Sequence, residues 1–241
     1  MTNPPNAAAY SRCSPLLTPL AYFLGRRLVI PWYFASVQIS GQHHLPQTGP
    51  TIIAPTHRAR WDSILVPLAV GRPATGRDLR FMVTADEVAG VQGWLIRRLG
   101  GFAVNIRRPS IASLRHGIDL LVAGEMLVIY PEGGIYREDQ VQPLKPGLAR
   151  LAIQAEATVA NLGIQVLPVD LYYEETYPSW HSSMQVNIGE AIAVQEYLKG
   201  NDSPEALKSS AQALTQALQT RLNRMINHRK ASIATSSSSH S

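Results

Sequence analysis

The sequence predicts an α/β fold: a single domain with a mixed, mostly parallel central sheet flanked by helices. Short apolar runs, which are typical of buried strands, alternate with segments whose apolar residues recur at helical spacing. The 241 residues are enough to bury one large core, and neither a repeat nor a linker divides them. We therefore expect one domain over residues 14–228, between a disordered leader at 1–13 and a disordered, serine-rich tail at 229–241.

The predicted elements follow this alternation along the whole domain. A helical segment over residues 14–35 comes first. The first half then contains four strands and two helices, in the order strand 35–39, strand 51–54, helix 62–70, strand 79–83, helix 93–99 and strand 102–104. The second half contains three helices and three strands, in the order helix 110–123, strand 125–130, helix 147–157, strands 165–171 and 184–188, and helix 204–228.

Local signals support several of these boundaries. Proline and glycine mark a turn at residues 45–50. Ser110 is a suitable N-cap for the helix that follows it, and Pro204 suits the first position of the last helix. That last helix carries one apolar stripe, most simply a packing face, formed by Leu207, Ala211, Leu214, Leu218, Leu222 and Met225.

The net charge of +5 is distributed unevenly along the chain. Residues 1–118 contain 13 basic and 4 acidic side chains, whereas residues 119–241 contain 9 basic and 13 acidic ones. An N-terminal half this basic is expected to face polyanions. The sequence contains neither a basic motif interleaved with aromatic residues nor a zinc-finger spacing, so these signals of nucleic-acid binding are missing. We therefore expect an anionic membrane surface, and no nucleic acid, as the partner.

The N-terminal helical segment is amphipathic and predicts a peripheral position on the membrane surface. Its two apolar runs, 15–24 and 28–34, are separated by Arg26 and Arg27. Neither run reaches the roughly 20 apolar residues that a spanning helix needs, and aromatic residues close the second run, as at a bilayer interface. A helix that packs on its own domain is the alternative. The single cysteine, Cys13, excludes an internal disulfide and favours a cytoplasmic location.

A histidine and an aspartate five positions apart are the candidate catalytic pair. His57 follows the strand 51–54, at the edge where open α/β sheets place their chemistry. On one continuous helix, a spacing of five residues places the two side chains about 140° apart around the axis, so they would not meet there. They meet if Asp62 opens the next helix, where its carboxylate fixes the tautomer of a general base. A surface histidine beside an unrelated aspartate is the alternative.

Two further groups of residues indicate an anion-binding site. An acid and two glycines at 132–134 follow an apolar strand, and glycine permits close approach of a ligand to backbone N–H groups. Arg107 and Arg108 lie in the stretch 88–118, which holds five arginines and no acid. Guanidinium forks bind phosphate bidentately, and Lys145 is a further candidate cation. An ordinary turn and a solvated basic face are the alternatives.

In order and spacing, four segments resemble the sequence blocks of the glycerolipid acyltransferase family, of the lysophosphatidate acyltransferase type. The family's first block, Asn-His-x4-Asp, is matched by His57 and Asp62. Its second block runs from a glycine to an arginine and is matched by Gly101 and Arg107, or by Arg108 in a shifted register.

The remaining two blocks lie in the second half of the chain. The family's Phe-Pro-Glu-Gly-Thr-Arg block is matched by Tyr130, Pro131, Glu132 and Gly133. Its last block, an apolar strand with a proline, is matched by residues 166–169. The resemblance covers roughly residues 35–190, and the combination is far more specific than any single block.

The resemblance implies a membrane-associated O-acyltransferase of phospholipid biosynthesis. It would move a fatty acyl group from a thioester of coenzyme A or acyl carrier protein to the hydroxyl of lysophosphatidate or a related lysolipid. By the same resemblance, His57 takes the hydroxyl proton and Asp62 holds His57. Residues near Arg107 and the 132–133 turn bind the acceptor phosphate, and Pro168 shapes the apolar or donor side. Neither a cofactor nor a metal is expected beyond the acyl donor.

The sequence departs from the family pattern at three places. Thr56 replaces the asparagine before the histidine. Gly134 and Ile135 replace threonine and arginine, which removes one expected phosphate ligand and leaves Arg137 as its candidate substitute. Residues 105–106 replace the acidic-arginine ending of the second block. Two alternatives stay open: a lipid acceptor without phosphate, and a non-catalytic protein that binds the membrane surface.

Overall fold

A computed structural model describes residues 11–105, 110–159, 161–198 and 203–238 of the chain, with side chains to residue 235. Within these ranges the helices are α1 (Leu17–Leu24), α2 (Ile30–Tyr33), α3 (Asp62–Val70), α4 (Arg72–Thr75), α5 (Gly90–Arg98), α6 (Ile111–Val122), α7 (Gly147–Thr158) and α8 (Pro204–Ser238). The strands are β1 (Ser36–Ser40), β2 (Thr51–Pro55), β3 (Leu79–Thr84), β4 (Gly101–Val104), β5 (Met126–Val128), β6 (Gln165–Tyr173), β7 (Ser183–Ile188) and β8 (Ile192–Ala193).

The strands form one mixed sheet in the order β1-β7-β6-β2-β5-β3-β4, with β8 beside the start of β6. Five neighbouring strands, from β6 to β4, run parallel to one another. β7 is antiparallel to β6 and parallel to β1. The predicted α/β fold with a mostly parallel sheet is confirmed.

Two hydrophobic clusters cover the two faces of the sheet. Successive residues of a strand point to opposite faces, and accordingly Ile52 belongs to one cluster and Ile53 to the other. Helices α6, α7 and α8 pack on the Ile52 face, whereas α3 and the end of the N-terminal segment pack on the Ile53 face. Because both faces are covered, all five residues of β2 are buried, and the four from Ile52 to Pro55 are apolar.

The N-terminal segment is helical, as predicted, but it is not one uniform α-helix. One π-helical stretch, Gly25–Val29, joins α1 to α2. Ile30 and Phe34 are buried in the core, which anchors the end of the segment. Several large apolar side chains of the same segment remain exposed, among them Leu16, Leu20, Phe23, Leu28 and Trp32. No helix in the described ranges has both the length and the apolarity needed to cross a bilayer.

The structured part of the chain extends beyond the predicted domain limits. The end of the predicted leader is bound to the domain, because Cys13 forms a β-bridge with Leu99 and the Ser11 amide donates to His116. The predicted disorder after residue 228 is wrong up to Ser238, because α8 continues to that residue. Serine-rich composition predicted disorder, but it could not show that Arg229 is buried in the fold. Residues 1–10 and 239–241 lie outside the described residues.

Candidate active site

The loop after β2 brings His57 to the carboxyl edge of the parallel strands. The end of β2 is joined to β6, since the Thr56 amide donates to the Val169 carbonyl at 2.9 Å. The Thr56 hydroxyl in turn accepts from the Leu171 amide at 2.9 Å. The residue that departs from the family's asparagine therefore has a structural contact, and it fixes the point from which the His57 loop leaves the sheet.

His57 and Asp62 form the predicted pair. Nδ1 of His57 lies 2.8 Å from Oδ2 of Asp62, the first residue of α3. Asp62 is fully buried, and its Oδ2 also accepts from the backbone amides of Arg58 and Ala59, at 2.6 and 2.9 Å. A carboxylate accepts and cannot donate, so Nδ1 carries the proton and Nε2 carries the lone pair. The His57 side chain is 19% exposed.

Two tyrosines complete the surroundings of the pair. The Tyr173 hydroxyl donates to Oδ1 of Asp62 at 2.6 Å. Burial, followed by the negative charge of Asp62, raises the pKa of Tyr173, so this hydroxyl keeps its proton. The Tyr130 ring stacks on the His57 ring with centroids 4.0 Å apart. Burial, with a smaller effect of Asp62, also raises the pKa of Tyr130 well above its ordinary value.

Glu132 is brought to His57, but it contacts the main chain and not the imidazole. Its Oε1 accepts from the His57 amide at 3.2 Å. Both carboxylate oxygens accept from the Arg58 guanidinium at 3.1 Å, and Oε2 also accepts from the Gln142 amide. Glu132 is 1% exposed and Arg58 is 5% exposed. The two charges therefore neutralise each other inside the protein and hold the His57 loop against the turn after β5.

Gly133 and Lys145 lie together at the surface of the same turn. Gly133 has a φ of +72°, and a Cβ at this position would lie 2.6 Å from Nζ of Lys145. The backbone conformation therefore favours glycine, whereas the contact with Lys145 does not require it, because the end of that flexible, exposed side chain can move aside. The Lys145 amide donates to the Pro131 carbonyl at 2.9 Å, and its exposed ammonium lies 3.5 Å from the Gly133 carbonyl. This places a positive charge on the turn that holds Glu132.

A groove of about 570 Å³ lies beside residues that contact the pair, although neither His57 nor Asp62 lines it, and its volume is within the usual size range of small-molecule sites. It lies between residues 135–139 and residues 171–177, and we call it the β6 groove. Arg58 and Tyr173 contribute to its walls, so the groove shares two residues with the surroundings of Asp62. Arg137 lies in it, with its guanidinium carbon 4.7 Å from the centre of the Tyr177 ring.

Pro168, a further predicted site residue, is not assembled at the pair. Pro168 is buried within β6, where it pairs with Ala54 and accepts at its carbonyl from the Gly189 amide at 2.9 Å. These contacts belong to the sheet. Arg107 and Arg108 lie outside the described residues. The described parts of the chain contain no group of three or more His, Cys, Asp or Glu side chains arranged to hold a metal ion.

Arg58 and Tyr173 belong to the surroundings of the pair, although the sequence did not identify them as candidates. Arg58 follows His57 directly, and this position was a usable signal, because a charged residue in a buried loop needs a partner of opposite charge. Tyr173 carried no comparable signal, since it is 111 positions from Asp62. Only the pairing of β6 beside β2 brings its hydroxyl to the carboxylate.

The fold and the site define an α/β protein that carries an imidazole, oriented by a buried carboxylate, at the carboxyl edge of a mostly parallel sheet. The sequence model of the Acyltransferase family matches residues 36–171, which is more than half of the chain. The chain belongs to the Acyltransferase family.

Two similar proteins illustrate the relationship. The glycerol-3-phosphate acyltransferase of Alteromonas mediterranea is 28% identical over 134 residues, which cover 51% of this chain and 16% of that protein. This chain therefore matches a small part of the relative's length. The solved 1-acyl-sn-glycerophosphate (LPA) acyltransferase PlsC of Thermotoga maritima has a TM-score of 0.66 and 20% identity, with 89% of this chain and 80% of that chain covered. This likeness shows a shared fold.

Proposed function

We propose that this protein transfers a fatty acyl group from a thioester to the hydroxyl of a glycerolipid acceptor, either lysophosphatidate or a related lysolipid. The observation that carries the proposal is the buried Asp62 carboxylate on Nδ1 of His57, which leaves Nε2 ready to accept a proton. Membership of the Acyltransferase family supports the class of reaction. The names of both similar proteins specify acceptors built on glycerol phosphate.

In the proposed reaction, His57 acts as a general base. Its Nε2 takes the proton of the acceptor hydroxyl while the oxygen attacks the thioester carbonyl carbon. The new C–O bond forms, the C–S bond breaks, and the departing thiolate takes the proton from the imidazolium. Asp62 stabilises the imidazolium by its charge and keeps the ring in place. The sequence has no Gly-x-Ser-x-Gly elbow for an acyl-enzyme, so direct attack is the consistent path.

We assign the acceptor head group to the β6 groove and the adjoining turn. Arg137 supplies an exposed cation in the groove, whose walls also carry the carboxylates of Glu138, Glu174 and Glu175, and Lys145 supplies a cation on the turn. Arg107 and Arg108 stay predictions as further phosphate ligands. Glu132 acts in this proposal as a positioning residue, because its charge is already taken up by Arg58.

Substitution of His57 tests the proposed reaction. Purified protein is incubated in detergent micelles with thioesters of coenzyme A and of acyl carrier protein, and with lysolipids that have or lack a phosphate monoester. The products are identified by mass. We expect His57→Ala to lower turnover at least ~10²-fold, the usual effect of losing a general base. His43→Ala, at an exposed histidine, is the control.

The same assay separates the alternatives. Transfer to acceptors without phosphate would move the assignment to another lipid alcohol or amine. Equal product yields from the wild type and His57→Ala would contradict the catalytic role of the pair and favour a protein that only binds membranes.

We propose further that the N-terminal segment docks on the membrane surface. Its exposed apolar side chains lie on both sides of Arg26 and Arg27, and α5 adds Val91 and Trp94, which are 85% and 49% exposed. Apolar contact together with arginines suits an anionic bilayer surface. The segment also contacts the start of α3, since the rings of Tyr33 and Trp61 are 4.2 Å apart and Trp61 directly precedes Asp62, the first residue of α3.

Vesicle sedimentation tests the docking surface. The double variant Phe23→Ser/Trp32→Ser removes two side chains that are 59% and 66% exposed. Burying each ring stabilises the bound state by about 1.5–3 kcal/mol, so we expect the fraction bound to vesicles of phosphatidylglycerol and phosphatidylcholine to fall about 10-fold or more. Val122→Ser, at an exposed valine of α6, is the control. Unchanged binding of the double variant would remove the docking assignment.

A further inference from the structure

Arg229 lies on the buried face of α8, where the apolar stripe of the helix would continue. Leu222 and Ile226 precede it at helical spacing, with exposures of 0% and 3%. Arg229 itself is 5% exposed, whereas Lys230 and Ala231 are exposed. An arginine is seldom buried without partners, because removing its charge from water is costly. The contacts of Arg229 therefore identify the parts of the chain to which this end of α8 is bound.

The Arg229 guanidinium joins two carboxylates from different parts of the chain. Its Nε donates to Oδ2 of Asp170, a fully buried residue of β6, at 2.8 Å. Its two terminal nitrogens donate to the two oxygens of Asp139. The guanidinium also lies over the Tyr172 ring, 4.1 Å from the ring centre. Asp139 and Tyr172 both line the β6 groove, so Arg229 joins its two walls.

The groove wall that contains Asp139 is also bonded to the loop that carries His57 and Arg58. The Tyr136 amide donates to the His57 carbonyl at 2.8 Å. Arg58 donates to the carbonyls of Tyr136 and Gln140 at 3.0 and 2.9 Å. The segment 136–140 is thus held between Arg58, next to His57, and Arg229 on α8.

The charges favour this arrangement. Burial alone would lower the pKa of Arg229, but the hydrogen bonds with Asp139 and Asp170 outweigh burial and raise it. The carboxyl of Asp139 responds in the complementary sense: burial would raise its pKa, and the hydrogen bonds and charge of Arg229 lower it. Both groups therefore stay charged over the range in which the protein is assayed, and the joint between the walls is an ion pair.

We propose that Arg229 is a positioning residue for the acceptor: it fixes the wall 136–140 of the β6 groove against β6, so acceptor binding depends on the C-terminal third of α8. The proposal rests on the function proposed above, which assigns the acceptor to this groove. The bidentate geometry on Asp139 is central, because a lysine can keep the charge but cannot hold two oxygens and Asp170 in one plane.

Steady-state kinetics of Arg229→Lys test the proposal. We expect KM for the acceptor to rise roughly 10-fold while kcat and KM for the acyl donor change less than about 2-fold, because the variant loses binding of one substrate and not the general base. Arg221→Lys is the matched control, since Arg221 pairs with Glu190 at an exposed site on the same helix. We expect its constants to equal those of the wild type.

A merely structural role predicts a different pattern. If Arg229 only stabilises the fold, Arg229→Lys lowers Tm and leaves both KM values unchanged once the assay is run well below that Tm. This result would overturn the proposal. Equal rises in the KM values of acceptor and donor would overturn it too, because the effect would not be specific to the groove.

Hydrogen exchange decides the structural part of the proposal independently of activity. The Tyr136 amide is bonded to His57, and we expect it to exchange at least roughly 10-fold faster in Arg229→Lys than in the wild type, by local opening. Unchanged exchange at Tyr136 would overturn the positioning role. If the wild type transferred no acyl group to any lysolipid, the proposed function would fail, whereas the exchange result would still decide whether Arg229 holds the wall.

Discussion

Two carboxylates are buried beside His57, and they hold different parts of it. Asp62 accepts from the imidazole ring, whereas Glu132 accepts from the main-chain amide. Their exposures are 0% and 1%, so burial does not distinguish them. What distinguishes them is the balance of charge around each one.

Glu132 faces a cation and Asp62 does not. The Arg58 guanidinium cancels the charge of Glu132 at close range. Asp62 is instead surrounded by dipoles, namely two backbone amides and the Tyr173 hydroxyl, and no arginine or lysine within the described ranges is paired with it. The field of Asp62 is therefore free to stabilise a proton on His57, and that of Glu132 is not.

The largest expected effect in this comparison is that of Asp62→Asn on turnover. An amide cannot stabilise the imidazolium by charge and can present a donor to Nδ1, which favours the wrong tautomer. We expect kcat to fall on the order of 10²-fold, measured by product formation at saturating acceptor and donor. Asp78→Asn, which breaks the partly exposed pair with Arg72, is the control and should leave kcat unchanged. A loss of stability without a loss of rate would make Asp62 a structural residue.

Glu132→Gln should act mainly on stability. The variant leaves the Arg58 guanidinium buried without a compensating charge, which typically costs about 3–5 kcal/mol of unfolding free energy. Urea unfolding measures this cost. The rate should fall less than in Asp62→Asn, because the ring keeps its carboxylate. Glu125→Gln breaks a less buried pair with Arg80 and should cost clearly less. If Glu132→Gln reduced kcat as much as Asp62→Asn does, the assignment of a structural role to Glu132 and a catalytic role to Asp62 would be wrong.

Tyr173→Phe gives the smallest of the three effects. It removes a hydrogen bond to a charged group, which contributes about 1.5–3 kcal/mol to stability, and kcat should fall less than in Asp62→Asn. Since burial and Asp62 raise the pKa of Tyr173, we expect the wild-type rate to show no titration of this hydroxyl up to pH 10. Tyr33→Phe, whose hydroxyl donates to the uncharged Pro178 carbonyl, is the control. Equal losses of unfolding free energy in Tyr173→Phe and Tyr33→Phe would show that the charge of Asp62 does not strengthen its hydrogen bond with Tyr173.

Local and distant contacts explain how much of the site the sequence predicted. His57 and Asp62 are close in sequence, and a loop between a strand end and a helix start has few conformations, so their meeting could be predicted. The contacts of Glu132 could not: its position after β5 was recognised, but its pairing with Arg58, 74 residues away, depends on how two loops meet. Pro168 became a candidate through the family resemblance, and its contacts in the structure belong to the sheet.

By itself, the sequence determined the alternation of strands and helices, the single α/β domain and the approach of Asp62 to His57. Each of these follows from apolar periodicity or from residues a few positions apart. The tertiary structure decided which charges cancel and which hydroxyl reaches Asp62. It also decided that α8 extends past residue 228, so that Arg229 holds one wall of the β6 groove. The physical reason is that a buried charge takes its role from its nearest partners, and the order of strands in the sheet decides which partners those are.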